Sequence, residues 1–192
     1  CHCDCCGGNG LSGDGTGYGG GGGGDGGGGD GGGGGCGGGC FKAGTFVATA
    51  IKDEKHFSFK KIEDLKVGDE ISGVVFDETG KSVIKKSKVE RLFIHEPDFH
   101  SFWELETKRG AKIIATGNHR FISNNDNGAT RLDEIKIESR VVSAFSEPEW
   151  DNVLRTKKIY NEENAVFNIK TGTANYLVSQ DGNSWILVHN EK

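Results

Sequence analysis

The chain has 192 residues, a formal net charge of −5, 33 glycines, six cysteines and no methionine. The mildly acidic balance argues against a nucleic-acid partner, and no apolar run reaches the length that a membrane-spanning helix needs. No secretory signal opens the sequence, and without any methionine it is expected to be a piece of a longer or processed protein.

Composition changes abruptly near residue 39. Residues 1–39 hold 24 of the glycines, five of the cysteines and no lysine or arginine, with only Leu11 and Tyr18 as sizeable apolar or aromatic groups. Burial there cannot offset the backbone entropy that glycine loses on ordering, so a flexible tail or linker is expected. Residues 40–190 have the composition of an ordinary soluble domain, and 191–192 are a residual flank. The basic run 81–88 (KSVIKKSK) alternates with apolar residues and reads as the solvated face of a strand.

In chain order, β-branched and aromatic residues mark strands at 45–50, 70–76, 83–96, 101–107, 111–115, 140–145, 166–170, 175–179 and 184–188. Between them, 77–80 (DETG), 108–110 (KRG), 125–128 (NDNG) and 181–183 (DGN) supply positions for tight turns. Helix is limited to one turn at 62–65 and another near 129–137, where Leu132 and Ile135 are three apart. Pro97 and Pro148 both read as lying in acidic connections, and no internal repeat stands out at a fixed period. The class is all-β.

The chemistry lies at the borders of this domain. A Cys40 thiolate can attack the carbonyl of Gly39 and convert the peptide into a thioester, provided that a general acid protonates the departing nitrogen. Glycine at 39 leaves the approach open. His119 is the candidate acid, with Thr116 orienting the scissile peptide and backbone N–H groups holding the oxyanion. At the far border, the carboxamide of Asn190 can close a succinimide on its own carbonyl, with His189 polarising it, and release Glu191-Lys192. Each residue alone has a plain structural reading: a lone cysteine is usually a small core residue and a lone histidine a hydrogen-bonded one. Their co-occurrence at entrance, middle and exit shifts the balance.

Four segments then resemble, in order, the motifs of Hint domains, the hedgehog and intein family: 40–47 (CFKAGTFV), 61–71 (KIEDLKVGDEI), 116–121 (TGNHRF) and 175–190 (NYLVSQDGNSWILVHN). The style is closest to bacterial intein-like domains. The resemblance implies a horseshoe-shaped all-β fold with pseudo-two-fold symmetry, its two ends meeting at one site. It also implies Cys40 as nucleophile, Thr116 and His119 as amide activators, and His189 and Asn190 at the C-terminal bond. Two departures stand out. Glu191 replaces the Cys, Ser or Thr that receives the thioester in splicing, so standard splicing is not expected. Asn168 and Ala174 stand where inteins often carry Asp and His, which would weaken coupling between the two cleavages.

The expected function is autocatalytic, single-turnover cleavage at the Gly39–Cys40 peptide. The chain's own flank is the substrate, water, an external thiol or an amine is the acceptor, and no cofactor takes part. The alternative is an inactive Hint fold serving as a structural module. The glycine-rich lead resembles, by composition alone, segments of phage tail proteins, and the location of the protein stays open. A third reading places a metal on Cys1, His2, Cys3, Cys5 and Cys6, whose crowding departs from the spacing of structural zinc sites. Cys36 could trap the thioester or pair with Cys40, or be a passive linker residue.

Overall fold

The structure, a computed structural model, describes residues 39–53, 56–124 and 128–190. Cys1, His2, Cys3, Cys5, Cys6, Cys36 and Glu191 lie outside them. Twelve strands occur among the described residues, and no α-helix. They are β1 (Phe41–Lys42), β2 (Phe46–Asp53), β3 (His56–Lys61), β4 (Glu70–Phe76), β5 (Ser82–Thr107) and β6 (Lys112–Thr116), followed by β7 (Arg120–Ile122), β8 (Ala129–Arg131), β9 (Arg140–Ala144), β10 (Pro148–Thr171), β11 (Asn175–Ser179) and β12 (Trp185–His189).

The sheet runs β3-β2-β11-β12-β9-β10-β5-β4, with β1 on β10, β6 on β5, and β7 between β12 and β8. β11 and β12 lie inside this order, and four consecutive residues of each are buried. That explains their unbroken apolar runs: a strand covered on both faces has no polar alternation to display. Phe41, Ile62, Phe121, Leu132, Tyr176 and Ile186 belong to one core cluster. Each large side chain there contributes about 1.5–3 kcal/mol relative to exposure.

β5 joins the strands expected at 83–96 and 101–107 into one, and β10 begins well before the strand expected at 166–170, because the two pair along most of their length, from Val153 opposite Thr107 to Thr171 opposite Val89. Pro97 is therefore inside β5 and not in a connection. The register shift between Asn164 and Val166 sets Glu96 and Pro97 opposite the single residue Ala165, and a bulge tolerates the missing N–H. Pro148 likewise opens β10 instead of preceding it. The turn expected near 129–137 resolves into β8 and a 3-10 turn at Leu132–Glu134.

An internal repeat, not apparent from the sequence by eye, emerges at an offset of 70 residues. Segment 61–71 (KIEDLKVGDEI) and segment 131–141 (RLDEIKIESRV) both run from strand through a 3-10 turn into the next strand. Ile62 and Leu132 occupy equivalent buried positions, and Leu65 and Ile135 each donate back three residues at 3.4 Å. Upstream, Ile62 N–H donates to Thr45 O and Leu132 N–H to His119 O, both at 2.8 Å. The repeat thus makes the turn holding His119 equivalent to the turn that follows Cys40.

Candidate functional site

β1 fixes where Cys40 lies. Phe41 faces Phe167 and Lys42 faces Val166 on β10, so one step back along this antiparallel register sets Cys40 opposite Asn168. Asn168 Nδ2 donates to the carbonyl oxygen of Gly39 at 2.7 Å, and both groups are buried. From the other side, the end of β6 closes on the same peptide. Cys40 N–H donates to Thr116 Oγ1 at 2.8 Å, and Thr116 N–H donates to Cys40 O at 2.9 Å. The Thr116 hydroxyl points to Asn118 Oδ1 at 2.8 Å, with Cys40 O more distant at 3.3 Å. Both polar groups of the Gly39–Cys40 peptide are therefore held by side chains.

His119 follows Thr116 in a tight turn, its N–H donating to Thr116 O at 3.0 Å. The ring packs on Phe41 at 4.2 Å between centroids and edge-on to Phe121 at 5.6 Å. Burial lowers its pKa to about 4, opposed by the adjoining Gly39 backbone and reinforced by His189. His119 is thus neutral at neutral pH. Neither ring nitrogen makes a hydrogen bond of full geometry although both are buried, and the polar group that acts on the ring is the Gly39 backbone.

Close packing enforces this arrangement. A Cβ added at Gly39 would collide with the N, Cα and Cβ of His119. Gly117 is equally confined: a Cβ there would lie 2.9 Å from Trp103 Nε1 and 3.0 Å from Asp133 Oδ2. Asp133 is itself fixed by Arg131, at 3.0 and 2.7 Å. Beside the turn opens a cleft whose lining includes His100, Trp103, Thr116, Asn118, Arg131 and Lys158.

At the other end, His189 closes β12 opposite Asn175. Asn190 is fully buried, and its N–H donates to Ala174 O at 3.1 Å. Its carboxamide fits best with Nδ2 donating to Ala174 O at 2.7 Å and Oδ1 accepting from Thr171 Oγ1 at 3.0 Å and from Thr171 N–H. Ala174 adopts a left-handed conformation at φ 58° to present that carbonyl.

Gly39, Cys40, Thr116, His119 and Asn168 therefore converge on one peptide, and His189 is near enough to His119 to influence its charge. Tyr176 is not among the sequence candidates. Its hydroxyl donates to Asn168 Oδ1 at 2.8 Å from a fully buried position, where desolvation raises its pKa well above the ordinary value. Asn118, Thr171 and the backbone role of Ala174 are likewise not apparent in the sequence. A tyrosine within the apolar run of β11 is the available signal, since a buried Tyr O–H needs a partner.

No family model matches the sequence, and a search of curated proteins finds no match. Solved structures do match. A DnaB intein from Synechocystis sp. PCC 6803 superposes with a TM-score of 0.63 at 25% identity, covering 80% of this chain and 99% of that one. A bacterial intein-like domain from Clostridium thermocellum gives a TM-score of 0.59 at 24% identity over 79% of this chain and 98% of its own. The gp41-1 intein gives 0.55 at 20% identity, over 80% and 99%.

Proposed function

We infer from the Hint/intein-type fold of residues 39–190 that the chain processes itself, with residues 40–190 as the catalytic unit and the upstream segment as substrate. Cys40 Sγ attacks the Gly39 carbonyl carbon, and the C=O electron pair moves onto oxygen. The C–N bond then breaks with its electron pair on the Cys40 nitrogen, which takes the proton that the thiol gave up. His119 carries that proton. A neutral imidazole can accept it from the thiol, and an imidazolium with a pKa near 4 is acid enough to give it to a departing amine. Thr116 holds the scissile N–H throughout. The thioester is resolved by water, a thiol or an amine.

The observation that carries this reading is the Gly39–Cys40 peptide itself. It is buried, its N–H lies on Thr116 at 2.8 Å, its C=O lies on Asn168 at 2.7 Å, and an uncharged histidine packs against it. A peptide that only linked a tail to a core would call for none of these groups. Downstream, the buried carboxamide of Asn190 is the group that would cyclise on its own carbonyl, releasing Glu191-Lys192 with help from His189. Glu191 offers no thiol or hydroxyl, so the proposed outcome is cleavage or transfer, not splicing.

Intact-mass spectrometry of the purified chain, with and without a small thiol or hydroxylamine, tests this reading. The expected product is a nucleophile-dependent fragment beginning at Cys40 that is lost in Cys40→Ala, while loss of Glu191-Lys192 alone reports on Asn190. An unchanged mass from folded protein would favour the structural module.

A further inference from the structure

We propose that Asn168 is a catalytic residue of this domain, its carboxamide N–H acting as the oxyanion donor for the Gly39 carbonyl during thioester formation. The inference rests on the self-processing reading above and assigns a step within it. Its basis is that Asn168 can present only one of its two ends to Gly39. Oδ1 accepts from Ile169 N–H at 2.8 Å and from the Tyr176 hydroxyl at 2.8 Å. A backbone N–H can only donate, so this contact fixes which end of the amide is oxygen. Nδ2 is then the atom 2.7 Å from Gly39 O.

That distance falls in the range at which an oxyanion donor acts, and the bond is buried. As Sγ bonds to the Gly39 carbon, negative charge moves onto the oxygen that Nδ2 already contacts. Because Asn168 is clamped beforehand, no reorganisation accompanies this step. Tyr176 strengthens the arrangement. Burial keeps its hydroxyl protonated, and donation to Oδ1 draws electron density from the amide and makes Nδ2–H a better donor.

Asparagine at this position thus departs from the Asp of many inteins in a way that lets it donate to the Gly39 carbonyl. An ionised carboxylate in the same place would set a charge beside the developing oxyanion and could not donate to it. The expected weakening concerns coupling between the two cleavages, while the chemistry at Gly39 is served by the amide.

The test compares wild type with the near-isosteric Asn168→Asp and with Tyr176→Phe, each checked for folding by thermal melt and followed by thiol-dependent release at neutral pH. Loss of one oxyanion donor predicts release slowed about 100-fold or more in Asn168→Asp, with a smaller slowing in Tyr176→Phe. In Cys40→Ala, where the peptide stays intact, NMR should show a scalar coupling across the hydrogen bond from Asn168 Nδ2 to the Gly39 carbonyl carbon. This readout needs no change at residue 168, so misfolding of Asn168→Asp does not remove the test. A wild type that cleaves while folded Asn168→Asp keeps within about threefold of it overturns the oxyanion role alone, as does absence of the coupling. A folded wild type that never cleaves overturns the self-processing reading and this role with it.

Discussion

Gly39 and His119 meet backbone to backbone so closely that no Cβ fits between them. Every displaced atom belongs to the main chain or Cβ of His119, so no flexible side chain can swing aside. Gly39→Ala should therefore displace the Gly39–Cys40 peptide from Thr116 and Asn168. A displacement of about 1 Å from reacting geometry costs on the order of 100-fold in rate, and that is the expected loss in thiol-dependent release. Mass spectrometry of the variant and wild-type chains side by side measures it. Equal rates for the two chains would mean that Gly39 does not sit against His119 during reaction.

The His119 ring, packed against Phe41 and Phe121, is buried without charge, which makes stability depend on pH. The unfolded ring titrates near 6.5 and the folded one near 4, so between these values the unfolded chain binds a proton that the folded chain refuses. The stabilisation from this group is complete above pH 6.5 and declines as pH falls to about 4, by about 3 kcal/mol in all. Urea unfolding at about pH 7 and about pH 4.5 should show most of this loss. An NMR titration of the His119 ring protons should give a midpoint well below that of an exposed histidine. A midpoint near 6.5 would mean that the ring is hydrated.

How much of this is legible in the sequence follows from how local each feature is. The turns at Gly80, Gly110 and Gly182 adopt positive φ where the turn signals lie, because a tight turn is decided by its own few residues. Cys40, Thr116 and His119 stand out because their spacing resembles a known set of motifs. The Gly39–Asn168 contact cannot be read the same way: it depends on β1 pairing with β10 across more than a hundred residues, and no local pattern encodes that register. The length of β5 and β10 is hidden for a related reason. In β10 the charged arm around 155–163 lacks the alternation that betrays a half-buried strand, and in β5 Pro97 at the bulge splits one strand into the two that the sequence shows.

The 70-residue repeat contains one mismatch that can be tested. Gly68 adopts φ 92° at the end of its turn, and its counterpart Glu138 is forced to φ 69°. A non-glycine residue in that region carries about 1–2 kcal/mol of strain, partly offset in a Gly variant by greater freedom of the unfolded chain. The exposed ion pair of Glu138 with Lys108, at 3.2 Å, contributes little. Glu138→Gly should therefore stabilise the domain by about 0.5–1 kcal/mol and raise the thermal midpoint. A lower midpoint would mean that the Glu138 side chain contributes more than its backbone costs.

The turn between β11 and β12 depends on a single carboxylate. Asp181 accepts from Ser184 N–H and Oγ and from Asn183 N–H, each at 2.8 Å, and from Ser179 Oγ at 2.9 Å. Partial burial raises its pKa, but these donors outweigh burial and hold it at about 2, against an ordinary 3.8. The folded state therefore favours the ionised form. This contribution is present above pH 3.8 and is lost as pH falls through about 2. Because the side chain is exposed, solvent screening reduces it to on the order of 1 kcal/mol. Asp181→Ala removes the carboxylate and leaves the turn donors to water, so it should destabilise the wild-type fold at about pH 7 and by progressively less below about pH 4. Paired urea titrations from about pH 5 to about pH 2 measure that difference. A gap that stays constant over the range would assign the effect to packing of the turn. A gap that closes would tie it to the charge of Asp181, and so tie the last strand before His189 and Asn190 to that carboxylate.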